Sequence, residues 1–302
     1  MVNGWIILDK PHELGSTQAV GAVKRNLREA GYGKVKVGHG GTLDPLATGV
    51  LPIAVGEATK LAGRMLDASK EYAFTLRFGE ETDSLDLEGS VIAASDVRPT
   101  RAAIAAVLPR FTGPIEQVPP AYSAIRVDGA RAYDLARAGE AVELKARAVT
   151  IHSLNVSNEA QAAEDAVTLI AHVSKGTYIR SLARDIAHAL GTVGHVTMLR
   201  RLRAGPFDLS QAISLDKLND VGKGAPLEHI LLPLEAGLVD IPALNLSPEQ
   251  ASMVRQGRVL TGLPQSDGLY WARAGNVPLA LVELIAGDAR VSRGFNLTDV
   301  AE

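Results

Sequence analysis

The chain has 302 residues, of which 46% are hydrophobic and 22% are charged, and its formal net charge is −3. This composition is typical of a soluble globular protein and argues against a uniformly basic nucleic-acid coat, although a local basic surface needs only clustered cations. Because cysteine is absent, disulfides, thiolate nucleophiles and cysteine-ligated zinc sites are excluded. At this length we expect one large domain and one small one.

Apolar runs in the sequence are short. The run from Trp5 to Leu8 is followed at once by Asp9 and Lys10, which makes it too short for a signal sequence. No stretch approaches the roughly 20 apolar residues that a membrane helix needs. We therefore expect a cytoplasmic protein that does not act in a membrane.

The first two thirds of the chain predict a mixture of strands and helices. A helix capped by Ser16 or Thr17 ends at Gly31, and an apolar strand runs from Val50 to Val55. Pro52 within that strand demands an edge position or a bulge. Hydrophobic periodicity predicts further strands at Ile6–Leu8, Tyr72–Phe78 and Val167–Val173, and helices at Thr100–Leu108, Ala130–Arg137 and Leu182–Leu190.

The segment from Glu80 to Gly89 is acidic and turn-like. A calcium loop is conceivable there, but the spacing of the acids fits no standard ligand pattern, so a solvated loop is the better interpretation. The sequence also lacks the H-E-x-x-H, G-x-x-x-x-G-K-[ST] and G-x-S-x-G motifs. We predict no metal site.

The C-terminal part, from about Ile241, predicts a helix at Ser247–Gln256 and several brief strands. These elements are enough for a small barrel-like appendage. Because strands and helices are mixed without regular alternation along the whole chain, an α+β fold is expected rather than a doubly wound parallel sheet.

One segment, from His39 to Gly49, constrains the function more tightly than any other. It reads His-Gly-Gly-Thr-Leu-Asp-Pro-Leu-Ala-Thr-Gly. The glycines remove side chains where backbone or ligand must come close, and Pro45 biases Asp44 toward an extended conformation. An isolated Asp-Pro pair is more often a turn residue, but this whole run presents a carboxylate at a rigid bend.

The run resembles the catalytic motif of the TruB family, the bacterial tRNA pseudouridine-55 synthases. The resemblance continues through separated motifs to about residue 220, and it implies that Asp44 is the catalytic residue. It also implies the pseudouridine synthase fold for residues 1–238, a mixed and largely antiparallel sheet with flanking helices. Residues 239–302 resemble the family's PUA-like β-barrel, an RNA-binding domain, in length and texture.

The same resemblance implies a set of substrate-binding residues: Lys10, His39, Lys60, Tyr72, Tyr178, Arg180 and Leu199. Tyr72 can stack on the uracil, and Arg180 can pair with Asp44 and keep it ionised. The structural alternatives are a core-facing ring for Tyr72 and an ion pair of Arg180 with Asp185 or another acid. If the segment is extended, Tyr178 and Arg180 point to one face.

The remaining residues of this set carry weaker implications. In the family, the counterpart of His39 helps to hold the target nucleotide out of its stem-loop, and that of Leu199 packs against the site. Lys10 and Lys60 match lysines near the site that can neutralise phosphate. A loop histidine, a plain core leucine and two structural lysines are the respective alternatives.

Two clusters of cations can form local basic surfaces. Taken alone, each is more often a solvated helix face or loop than an RNA site. Their members are Lys24, Arg25, Arg28, Lys34 and Lys36 in the first cluster, and Arg200, Arg201 and Arg203, preceded by His195, in the second.

We therefore predict an enzyme that converts uridine 55 in the tRNA T-loop to pseudouridine on a flipped-out nucleotide, without metal or organic cofactor. The expected partner is the T-arm of tRNA, with no obligatory protein partner and a monomeric state. A two-carboxylate glycosidase is disfavoured because no second acid stands out opposite Asp44. The alternatives are a non-catalytic tRNA-binding or remodelling protein of the same fold and, more distantly, a nucleoside hydrolase.

Overall fold

The computed structural model describes residues 2–123, 125–127, 130–140, 142, 144–157 and 165–297. The helices there are α1 (Ser16–Glu29), α2 (Ala62–Asp67), α3 (Arg101–Val107), α4 (Ala132–Arg137), α5 (Ile179–Ala189), α6 (Leu215–Gly222) and α7 (Pro248–Arg255). The strands are β1 (Gly4–Lys10), β2 (Val37–His39), β3 (Thr48–Val55), β4 (Lys70–Phe78), β5 (Glu80–Thr82), β6 (Val91–Ala94), β7 (Gly113–Gln117), β8 (Arg126–Val127), β9 (Ala130–Arg131), β10 (Arg147–Val156), β11 (Ala166–Val173), β12 (Gly194–Ala204), β13 (Phe207–Asp208), β14 (Ala243–Asn245), β15 (Gly268–Ala274), β16 (Val277–Ile285) and β17 (Asp288–Gly294). No helix within these residues is long and apolar enough to cross a bilayer. The predicted α+β class is confirmed.

The chain divides into two compact units. The first unit comprises Met1–Pro45, Gly49–Leu66 and Ala204–Glu302, and the second comprises Leu46–Thr48 and Asp67–Arg203. In sequence, most of the second unit is therefore an insertion into the first. The predicted domain boundary between residues 238 and 239 stays a prediction, and residues 298–302 of the predicted C-terminal domain lie outside the described residues.

Strand β3 is the central strand of the N-terminal part of the first unit. It pairs antiparallel with β1 over its length, from Gly4 opposite Val55 to Lys10 opposite Gly49. Strand β2 also pairs antiparallel with β3, from Val37 opposite Val55 to His39 opposite Ile53. Strand β3 is therefore not an edge strand, and its register with β1 runs through Pro52 without a bulge, so neither predicted setting of Pro52 is found. This proline is tolerated because the pairing with β2 ends one residue away from it.

Helix α1 differs from the prediction at its N-terminus and agrees with it at its C-terminus. Its N-cap is Gly15, so the predicted cap at Ser16 or Thr17 is wrong. The hydroxyl of Ser16 instead bonds to Leu43 outside the helix. The predicted end is confirmed, because Gly31 donates to Arg28 and Tyr32 donates to Leu27 in a Schellman motif, with Gly31 at φ +83°.

The second unit is built on an antiparallel sheet. Its strands follow the order β12-β4-β11-β10-β7, and the pairs β4–β11, β11–β10 and β10–β7 are antiparallel. Leu182 and Ile186 of α5 are fully buried in one core with Phe74, Leu76 and Leu169 of the strands. The predicted strands at β4 and β11 and the helix through Leu182 are confirmed.

The acidic segment from Glu80 to Gly89 is only partly solvated. Thr82, Ser84, Leu85 and Asp86 are buried, and the main chain of Leu85 accepts a hydrogen bond from Val196 of β12. The solvated-loop prediction is wrong for these residues. They are drawn inward because the Asp86 carboxylate has a buried cationic partner, described below.

The C-terminal part of the first unit has its own small core. Its sheet follows the order β14-β15-β16-β17, with β14 parallel to β15 and the later pairs antiparallel. Helix α7 packs Ala251 and Val254 into this core. Ser247 caps the helix and forms a capping box with Gln250, so the predicted helix is confirmed. A closed barrel stays a prediction.

Candidate active site

The Asp44 loop connects β2 to β3 and is held on both sides of the carboxylate. Before it, the Leu43 N–H donates to Ser16 Oγ at 2.8 Å, and the Ser16 hydroxyl donates to the Leu43 carbonyl at 2.9 Å. After it, the Pro45 carbonyl accepts from the Glu13 N–H at 2.9 Å. Asp44 itself is half-buried. The loop therefore presents a carboxylate from a fixed backbone.

Lys10 ties the same loop to the end of β1. Its side chain is fully buried, and Nζ donates to the carbonyls of Pro11, Leu14 and Pro45 at 3.0, 2.6 and 3.0 Å. A buried ammonium is stable only when such acceptors surround it. This geometry favours the structural alternative for Lys10, in which it positions Pro45 and hence Asp44.

The glycines after His39 satisfy two different requirements. A Cβ on Gly40 would lie 2.5 Å from Met65 Cβ, so that position has no room for a side chain. Gly41 adopts φ +129°, a conformation that favours glycine, and its N–H lies 3.4 Å from His39 Nδ1. The half-buried His39 thereby lies at the end of β2 with its ring directed back toward the loop.

Lys60 lies elsewhere in the first unit, in a short 3₁₀ helix after β3. Its ammonium donates to Glu57 Oε2 at 2.7 Å and to the Gly294 carbonyl at 2.9 Å. Because about a quarter of its side chain is exposed, Lys60 can still meet an external anion.

Arg180 is the buried cation of the second unit. Nη1 lies 3.1 Å from Asp86 Oδ2 and donates to the Ser84 carbonyl at 2.8 Å, and Nη2 donates to the Tyr122 carbonyl at 2.9 Å. Asp86 Oδ1 in turn accepts from Glu88 N–H and Ser84 Oγ. Arg180 thus forms an ion pair with Asp86. This fits the structural alternative given for Arg180 above, an ion pair with Asp185 or another acid. The predicted pair of Arg180 with Asp44 stays a prediction.

Tyr178 is the N-cap of α5 and its backbone is extended, whereas Arg180 is already in the first helical turn. The extended geometry considered for both residues therefore applies to Tyr178 alone. The side-chain amide of Gln117 hydrogen-bonds to both backbone polar groups of Tyr178. Its Oε1 accepts from the Tyr178 N–H at 2.8 Å, and its Nε2 donates to the Tyr178 carbonyl at 3.1 Å. The buried Gln117 side chain therefore fixes the backbone from which the Tyr178 ring projects.

Tyr72 and Leu199 both pack, half-buried, against the core of the second unit. Lys70, two residues before Tyr72, is buried and donates to the Ala68 carbonyl at 2.7 Å. Burial, together with the charge of Arg201, lowers the pKa of Lys70 to about 8.

The two basic clusters differ in exposure. In the first cluster all five cations are exposed. The second lies on strand β12 rather than on a helix or loop, and Arg201 is only 1% exposed. Arg203 pairs with Glu71 at 3.3 Å. Only the first cluster can form an exposed basic surface as a whole.

The predicted residues thus fall into two groups. Lys10, His39, Asp44 and Lys60 belong to the first unit, and Tyr72, Tyr178, Arg180 and Leu199 to the second. Sequence reasoning missed Ser16, Asp86 and Gln117, which position the predicted residues. Across the described ranges, no group of three or more His, Asp or Glu side chains could hold a metal ion.

Comparison with known proteins identifies the family. Residues 27–179 match the TruB family pseudouridylate synthase N-terminal domain, and residues 180–239 match the tRNA pseudouridylate synthase B C-terminal domain. The chain is 75% identical to tRNA pseudouridine synthase B of Novosphingobium aromaticivorans over 304 residues, covering all of both chains. It is 59% identical to the Zymomonas mobilis protein of the same name, covering 98% of this chain and 96% of that one.

Solved structures show the same fold. The archaeal box H/ACA sRNP Nop10-Cbf5 complex contains a chain with a TM-score of 0.72 and 26% identity, covering 98% of this chain and 87% of that one. A chain of an H/ACA RNP bound to a substrate RNA containing 2'-deoxyuridine gives a TM-score of 0.73 at 24% identity, covering 98% and 86%. On the family models and the full-length relatives together, the chain belongs to the TruB family of pseudouridylate synthases.

Proposed function

We propose that this enzyme converts uridine to pseudouridine in tRNA, at position 55 of the T-loop, with Asp44 as the catalytic residue. The relatives that share its full length are named tRNA pseudouridine synthase B. The observation that carries the role of Asp44 is the fixed backbone of its two neighbours: Ser16 holds Leu43, and Glu13 and Lys10 hold Pro45. Preorganisation of this kind is what a reacting group needs.

The reaction requires no co-reactant, because uridine and pseudouridine are isomers. The bond between C1′ and N1 breaks, the uracil turns, and a bond between C1′ and C5 forms while the C5 proton leaves and N1 gains one. Asp44 acts on the ribose, by attack on C1′ or by removal of the 2′ proton. The base must first leave its stack, at a cost of a few kcal/mol.

The other predicted residues serve binding in this proposal. Tyr72 and Tyr178 offer ring faces to the uracil, and Leu199 packs against the site. Arg180 pairs with the Asp44 carboxylate, and His39 holds the opened T-loop. These roles draw support from the positions of the side chains within their own units, half-buried for Tyr72, Tyr178, Leu199 and His39.

The overall organisation follows from the same proposal. Residues 239–302 form a PUA-like RNA-binding barrel after a catalytic domain of residues 1–238, and a buried cluster around Leu244 and Val282 that contains only residues after 239 supports this division. The enzyme works in the cytoplasm as a monomer, without a protein partner or cofactor.

The test compares Asp44→Asn with Asp96→Asn, a matched change at an exposed carboxylate. Tritium release from tRNA carrying C5-labelled uridine reports turnover, and anisotropy of labelled tRNA reports binding. We expect Asp44→Asn to abolish release while binding persists, and Asp96→Asn to retain both. Release by Asp44→Asn would refute the catalytic assignment. Binding without any release by the unmodified enzyme would identify a non-catalytic tRNA-binding protein instead.

A further inference from the structure

A cavity of about 260 Å³ opens in the first unit, apart from the Asp44 loop. Its polar lining includes Asn3, Tyr32, Lys34, Lys36, Glu57 and Lys60. The volume lies just below the range of about 300–1,000 Å³ typical of ligand pockets. The cavity therefore fits a fragment such as a phosphate with its ribose rather than a whole cofactor.

The charge of this cavity is positive. Three lysines face one carboxylate, and that carboxylate is already used, because Glu57 Oε2 accepts from Lys60 Nζ at 2.7 Å and from Asn296 N–H at 2.6 Å. Although burial opposes its ionisation, these hydrogen bonds and the charges of Lys60 and Lys36 hold the pKa of Glu57 below its usual value. Within the described part of the chain, no carboxylate forms an ion pair with Lys34 or Lys36.

Tyr32 gives the cavity an aromatic wall on a fixed backbone. It is the last residue of the Schellman motif of α1, donating to the Leu27 carbonyl at 3.0 Å, and it lies between Gly31 and Gly33 at φ +83° and +72°. The ring is nevertheless 41% exposed. An exposed ring on a rigid turn beside two ammonium groups combines stacking with charge neutralisation, which is how proteins bind single-stranded nucleic acid.

The segment that lines the cavity is connected to the Asp44 loop by strand β2. The Lys36 carbonyl accepts from Gly56 N–H at 2.8 Å, which anchors the segment just before β2. Strand β2 then leads to His39 over three residues, a span of about 10 Å in an extended chain. An RNA strand that delivers a nucleotide to the loop is therefore within reach of both lysines.

We propose that this cavity binds one sugar–phosphate of the substrate tRNA, outside the nucleotide that reacts. Lys34 and Lys36 contact the phosphate, and Tyr32 packs against the adjoining ribose or base. The inference rests on the proposed function for the identity of the RNA, but its test does not require turnover.

The test measures tRNA affinity by anisotropy against salt concentration for Lys34→Ala/Lys36→Ala and for the charge reversal Lys34→Glu/Lys36→Glu. Each neutralised phosphate contributes about 0.7–0.9 to the slope of log K against log salt, and the two lysines share one phosphate, so the alanine pair should lower the slope by about 0.7–0.9. We expect Kd to rise about tenfold for the alanine pair at 100 mM salt, and more for the reversal. Tyr32→Ala should raise Kd about fivefold or more, and Tyr32→Phe should not.

The control is Lys217→Ala/Lys223→Ala, which removes the same charge from exposed positions in and just after α6. All variants are measured in the Asp44→Asn background and again with active enzyme. An affinity and slope of the Lys34/Lys36 pair equal to those of the control would overturn the proposal. Absence of turnover in the unmodified enzyme would overturn the proposed function and would leave the binding comparison readable.

Discussion

Ser16 holds Leu43, the residue before Asp44, by both of its backbone polar groups. The hydroxyl accepts from the Leu43 N–H and donates to the Leu43 carbonyl, at 2.8 and 2.9 Å. Both residues are buried, so the polar groups of Leu43 have no access to water as a substitute. The first residue of α1 thereby sets the backbone from which Asp44 projects.

We predict that Ser16→Ala lowers kcat about 10–100-fold, because a loosened loop misplaces the carboxylate. It should also lower the free energy of unfolding by about 1–3 kcal/mol, since two buried backbone groups lose their partner. Single-turnover tritium release and urea unfolding measure the two effects. Ser214→Ala is the control: it removes the cap of α6, costs about 1 kcal/mol and leaves kcat unchanged. Equal kcat values for the two variants would contradict the positioning role.

Lys10→Met should act on the loop and not on phosphate binding. It leaves the carbonyls of Pro11, Leu14 and Pro45 without this donor, so we expect a loss of about 2–5 kcal/mol in the free energy of unfolding, together with a lower kcat. The slope of tRNA affinity against salt should stay at the wild-type value. A slope lowered by about 1 would show instead that Lys10 contacts a phosphate.

Arg180→Met should destabilise the second unit strongly. The change leaves the Asp86 carboxylate without its cationic partner, and the Asp86 side chain is only 11% exposed. Breaking a buried pair in this way costs about 3–5 kcal/mol. In urea unfolding, the double variant Arg180→Met/Asp86→Leu should recover part of that loss, because no charge is then left buried. A loss below about 1 kcal/mol for Arg180→Met would mean that the pair contributes little.

Because of Lys70, the free energy of unfolding should change with pH in the alkaline range. Its pKa is about 8 in the folded protein, against the usual 10.5 of a lysine in the unfolded chain, so between these two values the unfolded chain binds more protons. The free energy of unfolding therefore rises with pH over this window. We predict that the wild type gains stability relative to Lys70→Met between pH 7.5 and about 10, measured by urea unfolding at fixed ionic strength. A constant difference across this range would contradict the lowered pKa.

Local sequence patterns predicted most of the secondary structure. The alternation of β4 and the four-residue spacing of Leu182 and Ile186 in α5 depend on neighbours within one element. Ser16 and the acidic segment were predicted wrongly because tertiary partners override local preference. The Ser16 hydroxyl bonds to Leu43, and Asp86 is buried by Arg180.

The candidate site could be proposed from the sequence where one continuous motif carries it. The run around Asp44 and its glycines needed no knowledge of other segments, and Gly40 is explained by the closeness of Met65. Gln117 and Asp86 could not be found in this way. Gln117 bonds to Tyr178 and Asp86 pairs with Arg180, and in both cases the partner lies far away along the chain. Such single polar contacts produce no periodic pattern in the sequence.

The interleaving of the two units has a consequence for biosynthesis. Strand β1 exchanges backbone hydrogen bonds with Leu232 through Trp5 and with Ile213 through Ile7 and Asp9. At about 5–20 residues per second, a ribosome needs roughly 10–45 s to add the chain between these partners. The nascent strand β1 therefore waits, without these two partners, until the insertion has been made, whereas the contacts of Ser16, Glu13 and Lys10 with the Asp44 loop join residues made early.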